Sequence, residues 1–410
     1  MEATESITGD RIRQLRLAEG MTQAELASAT GDLVSKQMIS RYERDQSQPS
    51  PKVLRGLAEA LEVKTADLFR QPPAEIEFEA YRRFSRLGKR KQRQIERMVE
   101  RELEKRIRLQ DVLGQLREEP IPADEWPVST PEDAEKAAEE LRDRWELGRA
   151  PIASITEVLE DQRIHVIDVT GFDDFDGLSA LACDGGDILA AAVVYHGERP
   201  GERQRLSLAH ELAHIVLDVE ESEDFDEEDA AYRMGAAFLA PKKPLIRDVG
   251  KRRESLQLQE LLLLKEEYGM SIQALLYRLK DLGVITDHHH RQWSIHINKM
   301  GWRKSEPEEL SPEEPKWLRR SVYRAYSEGL ISEEEAERLI EESPDGDTPP
   351  TLQRRRSFMD LPVEERREVL QKQADEMEEH YRQNRADRVE IQGGDVYDYE
   401  DPEQDEESGE

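Results

Sequence analysis

Apolar residues recur three or four positions apart along most of the chain, and that spacing predicts helices. Residues 10–70 alternate short helical patterns with turn residues and end at Gln71-Pro72-Pro73. Residues 88–112 read as one long helix, with Ile95, Met98, Val99, Leu103 and Ile107 along a single stripe. That stripe lacks the sustained heptads of a coiled coil, so the helix is expected to pack on a domain or space two of them. Helical spacing returns over 131–145, 152–160, 205–217, 227–239, 255–268 and 271–282. Ile164–Val169 and 188–194 are β-branched or apolar runs flanked by Asp and Gly, and these predict strands. Beyond Gly301 the chain is charged, proline-punctuated and helical in pattern. No internal repeat is present. The expected fold is an α+β multidomain protein with an all-α head, a central α+β domain with a small sheet, a helical C-terminal extension and an acidic disordered tail.

Composition narrows this. The chain has 410 residues, 37% of them charged and 37% hydrophobic, with 59 Lys+Arg against 91 Asp+Glu and a net charge of −32. Such polarity favours small domains over one large core. The net charge argues against coating nucleic acid or anionic membrane by bulk attraction. It also suits a salty cytoplasm, where dense carboxylates keep proteins soluble. The acidity is uneven: residues 1–70 carry 10 Lys/Arg and 11 Asp/Glu, whereas residues 71–110 carry 12 and 7. The last twenty residues hold nine Asp/Glu and no Lys/Arg, which predicts a solvated tail. Cys183 is the single cysteine, which excludes an intramolecular disulfide and a cysteine-built metal site. No apolar run reaches the ~18 residues of a membrane span, and the N-terminus has no signal-peptide pattern. A soluble cytoplasmic protein with no membrane partner is expected.

In the head, Thr22 and Glu25 form a capping box, and Ser35 is placed to cap a second short helix through Tyr42. Two short helices joined by a tight turn after Gly31 make a helix-turn-helix, whose second helix can enter a major groove. Ile39 and Tyr42 should face the core, which leaves Lys36, Gln37, Ser40 and Arg41 outward where base-reading side chains must lie. This region resembles the Cro/cI-type (XRE) helix-turn-helix family. The resemblance lies in Arg11-Ile12-Arg13, Leu15-Arg16, Thr22-Gln23, Glu25-Leu26-Ala27, Ser35, Ile39-Ser40, Glu43, Pro49-Ser50 and Leu54. It implies a five-helix fold that binds a double-stranded DNA operator as a homodimer. Lys36, Gln37 and Arg41 would then face bases, and Gln23 and Ser40 phosphates. Asp45 departs from the pattern, standing where the family usually has glycine, and the turn around Asp32-Leu33 is slightly long.

In the middle, His210-Glu211-Leu212-Ala213-His214 falls within the helical stretch 205–217. Histidines four apart share one helical face, so both imidazoles can meet one zinc ion, with Glu211 beside the open position. Read as core residues instead, they would leave Glu211 buried and charged without a partner. A third ligand must come from elsewhere, and residues 218–229 hold nine Asp/Glu in twelve positions, so composition does not choose it. Ala231, Gly235 and Phe238 mark the face of a helix able to pack closely on another, and Glu228 projects from that face.

The run Glu228-Asp229-Ala230-Ala231, closing on Phe238-Leu239-Ala240-Pro241, together with the HExxH helix resembles the ImmA/IrrE family of zinc metallo-endopeptidases. The lead-in is similar too: Trp145-Glu146-Leu147-Gly148, Pro151-Ile152, Gly177, Ser179 and Glu202-Arg203-Gln204-Arg205. The resemblance covers about residues 130–285 and implies His210, His214 and Glu228 as ligands of Zn2+, with Mn2+ as an alternative ion. Glu211 would be the general base of a metal-assisted peptide hydrolysis. Ala213, Tyr232 and Met234 depart from the pattern without removing a ligand. The strand at 188–195 could align substrate by β-augmentation, and Arg205, Tyr195 and His196 are the oxyanion candidates. His288, His289, His290 and His296 are read as a solvated turn, because three adjacent histidines cannot share a helical face.

The expected domains are 1–72 (helix-turn-helix), 73–129 (basic helical linker), 130–299 (peptidase), 300–350 (helical extension) and 351–410 (antitoxin-like or disordered acidic tail). Two functions follow. The first is a DNA-binding transcriptional regulator fused to a zinc endopeptidase that cleaves a helix-turn-helix repressor or itself. The alternative is a non-enzymatic antitoxin or ligand-sensing repressor, with the peptidase fold as a binding module and a toxin as partner.

Overall fold

The computed structural model describes residues 7–61, 63–69, 73–79, 87–116, 121–222 and 225–340. The tail 351–410, with its antitoxin-like reading, lies outside them.

The head contains α1 (Ile7–Ala18), α2 (Gln23–Ala29), α3 (Lys36–Tyr42), α4 (Pro51–Ala60) and a 3-10 turn, Thr65–Phe69. The capping box is present: Thr22 Oγ1 accepts from Glu25 N at 3.2 Å, and Glu25 Oε2 accepts from Thr22 N at 2.6 Å. Ser50 caps α4, and Pro51 occupies its first turn, where no N–H is needed. Ile12, Leu15, Leu26, Ile39, Tyr42, Leu57 and Leu61 fill the core. Asp45 has φ +54°, a left-handed conformation that favours glycine, and its Oδ1 accepts from Gly9 N at 3.1 Å.

The central domain is built on a four-stranded sheet, ordered β1 (Glu75–Glu79), β4 (Gly177–Asp184), β5 (Asp187–His196), β3 (Ile164–Val169). The β1–β4 and β4–β5 pairs are antiparallel, and β3–β5 is parallel. A short parallel pair, β2 (Trp126–Val128) and β6 (Leu217–Val219), lies apart from it. Alternate side chains divide the sheet between two cores. Leu181, Ala191, Val193 and Tyr195 join the core with the helix that carries the histidines. Leu178, Ala180, Ala182, Ala190, Ala192 and Val194 pack instead with Ile95, Val99, Leu103 and Ile107 of α5 (Lys89–Val112). With both faces covered, β4 and β5 read as continuous apolar runs, which hides strand periodicity.

The segment expected as a linker therefore supplies an edge strand and the helix backing the sheet. Its β1 was not foreseen, because Glu75-Ile76-Glu77-Phe78-Glu79 is short and its glutamates resemble solvated chain. The helices α6 (Pro131–Arg144), α7 (Ile155–Asp161), α8 (Gly201–Val216), α9 (Glu227–Leu239), α10 (Lys242–Val249), α11 (Leu258–Tyr268) and α12 (Ile272–Asp281) complete the domain.

Next comes α13 (Asp287–Met300), and it overturns one expectation. The His288–His290 run is not a turn but the first turn of a helix capped by Thr286. Its side chains diverge: His289 is buried, His290 packs at a tilt against Tyr277, and His296 sits between Trp293 and Trp302.

The extension also departs from a helical pattern at first. Residues 302–316 form an irregular strap, punctuated by Pro307, Pro312 and Pro315, before α14 (Trp317–Ser327) and α15 (Glu333–Ile340). Carboxylates fasten this strap to the domain. Glu306 accepts from the backbone N–H groups of Ile272 and Gln273 at 2.8 and 3.2 Å, the free amides at the start of α12. Glu313 accepts from Arg205, Ser154 and Thr156.

The head rests on α5. Arg11 donates to both carboxylate oxygens of Glu104, at 2.7 and 2.5 Å, and both side chains are buried. Arg101 of α5 pairs with Glu19. Removing one member of a buried pair strands the other charge, which costs about 3–5 kcal/mol. Glu104→Ala should therefore lower unfolding free energy by about 3 kcal/mol in urea melts. A change below about 0.5 kcal/mol would mean that Arg11 and Glu104 are not jointly buried in solution.

Candidate metal centre

The site forms where α8 and α9 touch. Its histidine helix is buried almost all round: His210 is 1% exposed, Glu211 0% and His214 5%. Asp226 caps α9 by accepting from Asp229 N at 2.9 Å, and Glu227, Glu228 and Asp229 fill its first turn, where the helix dipole favours negative charge. Gly235 brings the two backbones together, since a Cβ there would lie 3.1 Å from both Ala209 C and His210 N.

This approach unites all three expected ligands. His210 Nε2 and His214 Nε2 are 2.9 Å apart, and Glu228 oxygens lie 3.5 Å from the first and 3.6 Å from the second. Ligands of a tetrahedral zinc ion stand about 3.3 Å apart, so this donor set fits such an ion with small adjustment. Among the described residues it is the one cluster of His, Cys, Asp or Glu with donors this close together.

The sequence assigns no role to two neighbours that the structure places at the site. Glu227 Oε1 lies 2.8 Å from His214 Nδ1, the arrangement in which Nδ1–H donates and Nε2 keeps its lone pair for a metal. Burial alone would pull the His214 pKa down, but this bond and the carboxylates of Glu211, Glu227 and Glu228 leave it raised. Nothing in a stretch with nine acids distinguishes Glu227 beforehand. The second is Gly177 at the start of β4, where a Cβ would lie 2.7 Å from Glu211 Oε1 and 3.0 Å from Glu211 Cγ. A glycine there leaves the carboxylate its room.

Tyr232 lies one turn beyond Glu228 on α9, and its ring stands 4.2 Å from that of His210, centre to centre. It joins His210, His196, Leu206 and Asp176 around a cavity of about 180 Å³. A larger one, about 690 Å³, continues between α9 and α12, with Tyr232, Leu206, Phe225, Met270 and Tyr277 in its walls.

Two oxyanion candidates point elsewhere. Arg205 is spent on Ala153 O, Ile152 O and Glu313, and the Tyr195 hydroxyl donates to Glu313 O at 3.2 Å. Both serve the strap. His196 alone of the three shares the cavity with His210. Nor can β5 align a substrate strand, because β4 and β3 occupy both its edges.

In the head, Lys36, Gln37 and Arg41 are exposed on α3 and Ser40 is half-buried. The Gln23 amide donates to Glu43 Oε2 at 2.7 Å, and Glu43 also holds Arg16 in a buried pair.

Residues 12–68 match the family described as helix-turn-helix, and residues 173–280 match the IrrE N-terminal-like domain of a peptidase family. Both halves of the expected fusion are thus matched, each over its own stretch of the chain. A search of curated proteins returns no match.

If Glu227 orients His214, Glu227→Ala should weaken zinc binding about 10- to 100-fold, read by competition with a chromophoric chelator. Affinity equal to that of the parent would show that His214 needs no such support.

Proposed function

We propose that this chain is an operator-binding transcriptional regulator that carries its own zinc-dependent endopeptidase, acting on a repressor-type protein or on itself. The observation that supports this best is the convergence of His210, His214 and Glu228 with Glu211 seated beside them against Gly177. His210, His214 and Glu228 would hold the ion, Zn2+ or alternatively Mn2+. When bound, that ion supplies Lewis acidity, making water more acidic and a scissile carbonyl more electrophilic.

The chain's own groups handle the protons. Glu211 takes one from the attacking water and returns it to the leaving amine, and its carboxylate has little freedom to turn away. His196 is the remaining candidate for the developing oxyanion. Burial, and secondarily Arg199, lower its pKa, so the ring is neutral near pH 7. Its Nδ1 accepts from Glu198 N at 3.2 Å, which places the proton on Nε2 as a donor.

For the head, Lys36, Gln37 and Arg41 would read bases, Gln23 and Ser40 would lie near phosphates, and two copies would bind one operator as a homodimer. An operator-bound protein works in the cytoplasm, and no described helix is long and apolar enough to cross a membrane. The antitoxin alternative depends on residues outside the described ones.

Zinc-loaded protein incubated with candidate repressors should cleave, while Glu211→Gln should retain the ion and lose at least about 100-fold in rate. Gly177→Val should act in the same sense by displacing that carboxylate. Cleavage that survives Glu211→Gln would refute the assigned base. In a gel shift, Lys36→Ala and Arg41→Ala should each weaken specific operator binding by about 1–3 kcal/mol. Unchanged affinity in both would remove α3 as the reading helix.

A further inference from the structure

We propose that the outer edge of β4 is the docking edge for an extended peptide substrate, and that β1 of the same chain occupies this edge as a displaceable stand-in. The inference rests on the peptidase reading above and adds where the substrate lies and what holds it off.

The sheet leaves few choices. A peptide that adds to a sheet needs an edge near the reacting groups. The strand in contact with Glu211 is β4, through Gly177. One side of β4 is paired with β5, so among the described strands the edge beside Glu211 that an added strand could use is the one bearing β1.

There β1 runs antiparallel, from Glu75 opposite Cys183 to Glu79 opposite Ser179, two residues from Gly177. Its chain direction leads toward Glu211. A substrate strand in the same register would make the same main-chain hydrogen bonds, so exchanging one for the other loses none of them.

Three features make β1 displaceable. It is five residues long, whereas β4 has eight and β5 has ten. Its apolar anchors, Ile76 and Phe78, are only half-buried, and Glu75 and Glu77 are exposed. It also lies outside both matched domains, in the stretch joining residues 12–68 to residues 173–280. The docking edge is thus covered by a segment leading directly from the DNA-binding head.

The occupant also indicates the kind of substrate. Directly opposed residues share a face, so Ile76 and Phe78 point to the side of the sheet where Ala180, Ala182 and α5 pack. A segment that replaces β1 is extended and carries apolar side chains at those two alternate positions.

The native Cys183 supplies the test. Because Glu75 is its direct cross-strand partner, Glu75→Cys allows a disulfide to lock β1 on β4, with the reduced form of the same protein as its control. Ile76→Ser/Phe78→Ser does the opposite by removing the anchors. The probe is a fluorescein-labelled peptide with the sequence of residues 73–79, Pro-Ala-Glu-Ile-Glu-Phe-Glu, titrated by anisotropy into full-length protein carrying Glu211→Gln.

An edge that is free only a tenth of the time weakens apparent affinity about tenfold, so the loosened variant should bind the peptide about tenfold more tightly than the parent. Oxidised Glu75→Cys should bind at least about tenfold more weakly than its reduced form. Zinc content should be equal throughout. The same Kd in locked, reduced and loosened proteins, or no binding in any, overturns the inference. If the zinc-loaded protein with Glu211 intact also cleaves locked and loosened alike, the peptidase reading survives and the inference alone falls. Binding that follows β1 without any cleavage supports the docking edge and removes the peptidase.

Discussion

One helix can offer two imidazoles to a metal, but a third ligand then arrives on a different backbone, and it is useless if the two backbones stand a side chain too far apart. In this protein that spacing is set at Gly235. A methyl group there would press on the backbone of Ala209 and His210, so α9 lies directly on the turn of α8 that presents the first imidazole. Glu228 lies seven residues, two helical turns, before Gly235 and on the same face, and it inherits the position this contact defines. The far end of α9 is held as well. Arg142 donates to Phe238 O and Arg278 to Ala240 O, satisfying carbonyls that a helix end leaves without partners. Burying two guanidinium groups is costly, and burial lowers the Arg142 pKa to about 10. The carbonyl dipoles, with Glu135 for Arg278, offset that cost.

A second constraint acts through α5. Its 24 residues span roughly 36 Å, and its two sides serve different domains. Ile95, Val99, Leu103 and Ile107 complete the core behind the sheet, while Glu104 and Arg101 hold the head through Arg11 and Glu19. The strand preceding this helix pairs with β4, whose first residue supports Glu211. A displacement of the head would act on one helix and one strand that both bear on the central sheet. Coupling of this kind needs no long relay, because the joining segment is itself part of the fold.

Local chemistry was legible in the sequence; long-range pairing was not. The capping box at Thr22, the inward Ile39 and Tyr42, the close-packing face of Ala231 and Gly235, and the HExxH pair all follow from spacings within two helical turns. The strand β1 depends on a partner a hundred residues away, and five residues with three glutamates carry no signal of that partner. Continuous apolar runs conceal alternation when a sheet is covered on both faces, so β4 was missed and β5 gave no hint of being internal. That three adjacent histidines cannot share one helical face argues against a shared metal, not against a helix over 288–290. Thr286 and the helical spacing of the residues after it were the better guide. Arg205 lies on the HExxH helix and Tyr195 on the strand before it, yet the strap that claims both begins about a hundred residues later.

Net charge and DNA recognition conflict at first sight in a chain carrying −32, and the short range of electrostatics in salt resolves the conflict. Electrostatic fields decay over about 8 Å at physiological ionic strength, so a phosphate responds to the side chains at the contact rather than to the whole molecule. Between Lys36 and Tyr42, α3 has two cations and no carboxylate. The head's carboxylates are partly engaged elsewhere: Glu43 with Arg16 and Gln23, Glu19 with Arg101, Glu25 in its capping box. Attraction therefore operates at contact range and survives in salt better than repulsion from any carboxylate more than a screening length away. The same imbalance penalises loose, sequence-independent association, where the whole body approaches DNA without the helix seated in a groove. If α3 is the helix that enters the groove, an acidic body favours binding at sites that it can fit over indiscriminate coating of the duplex.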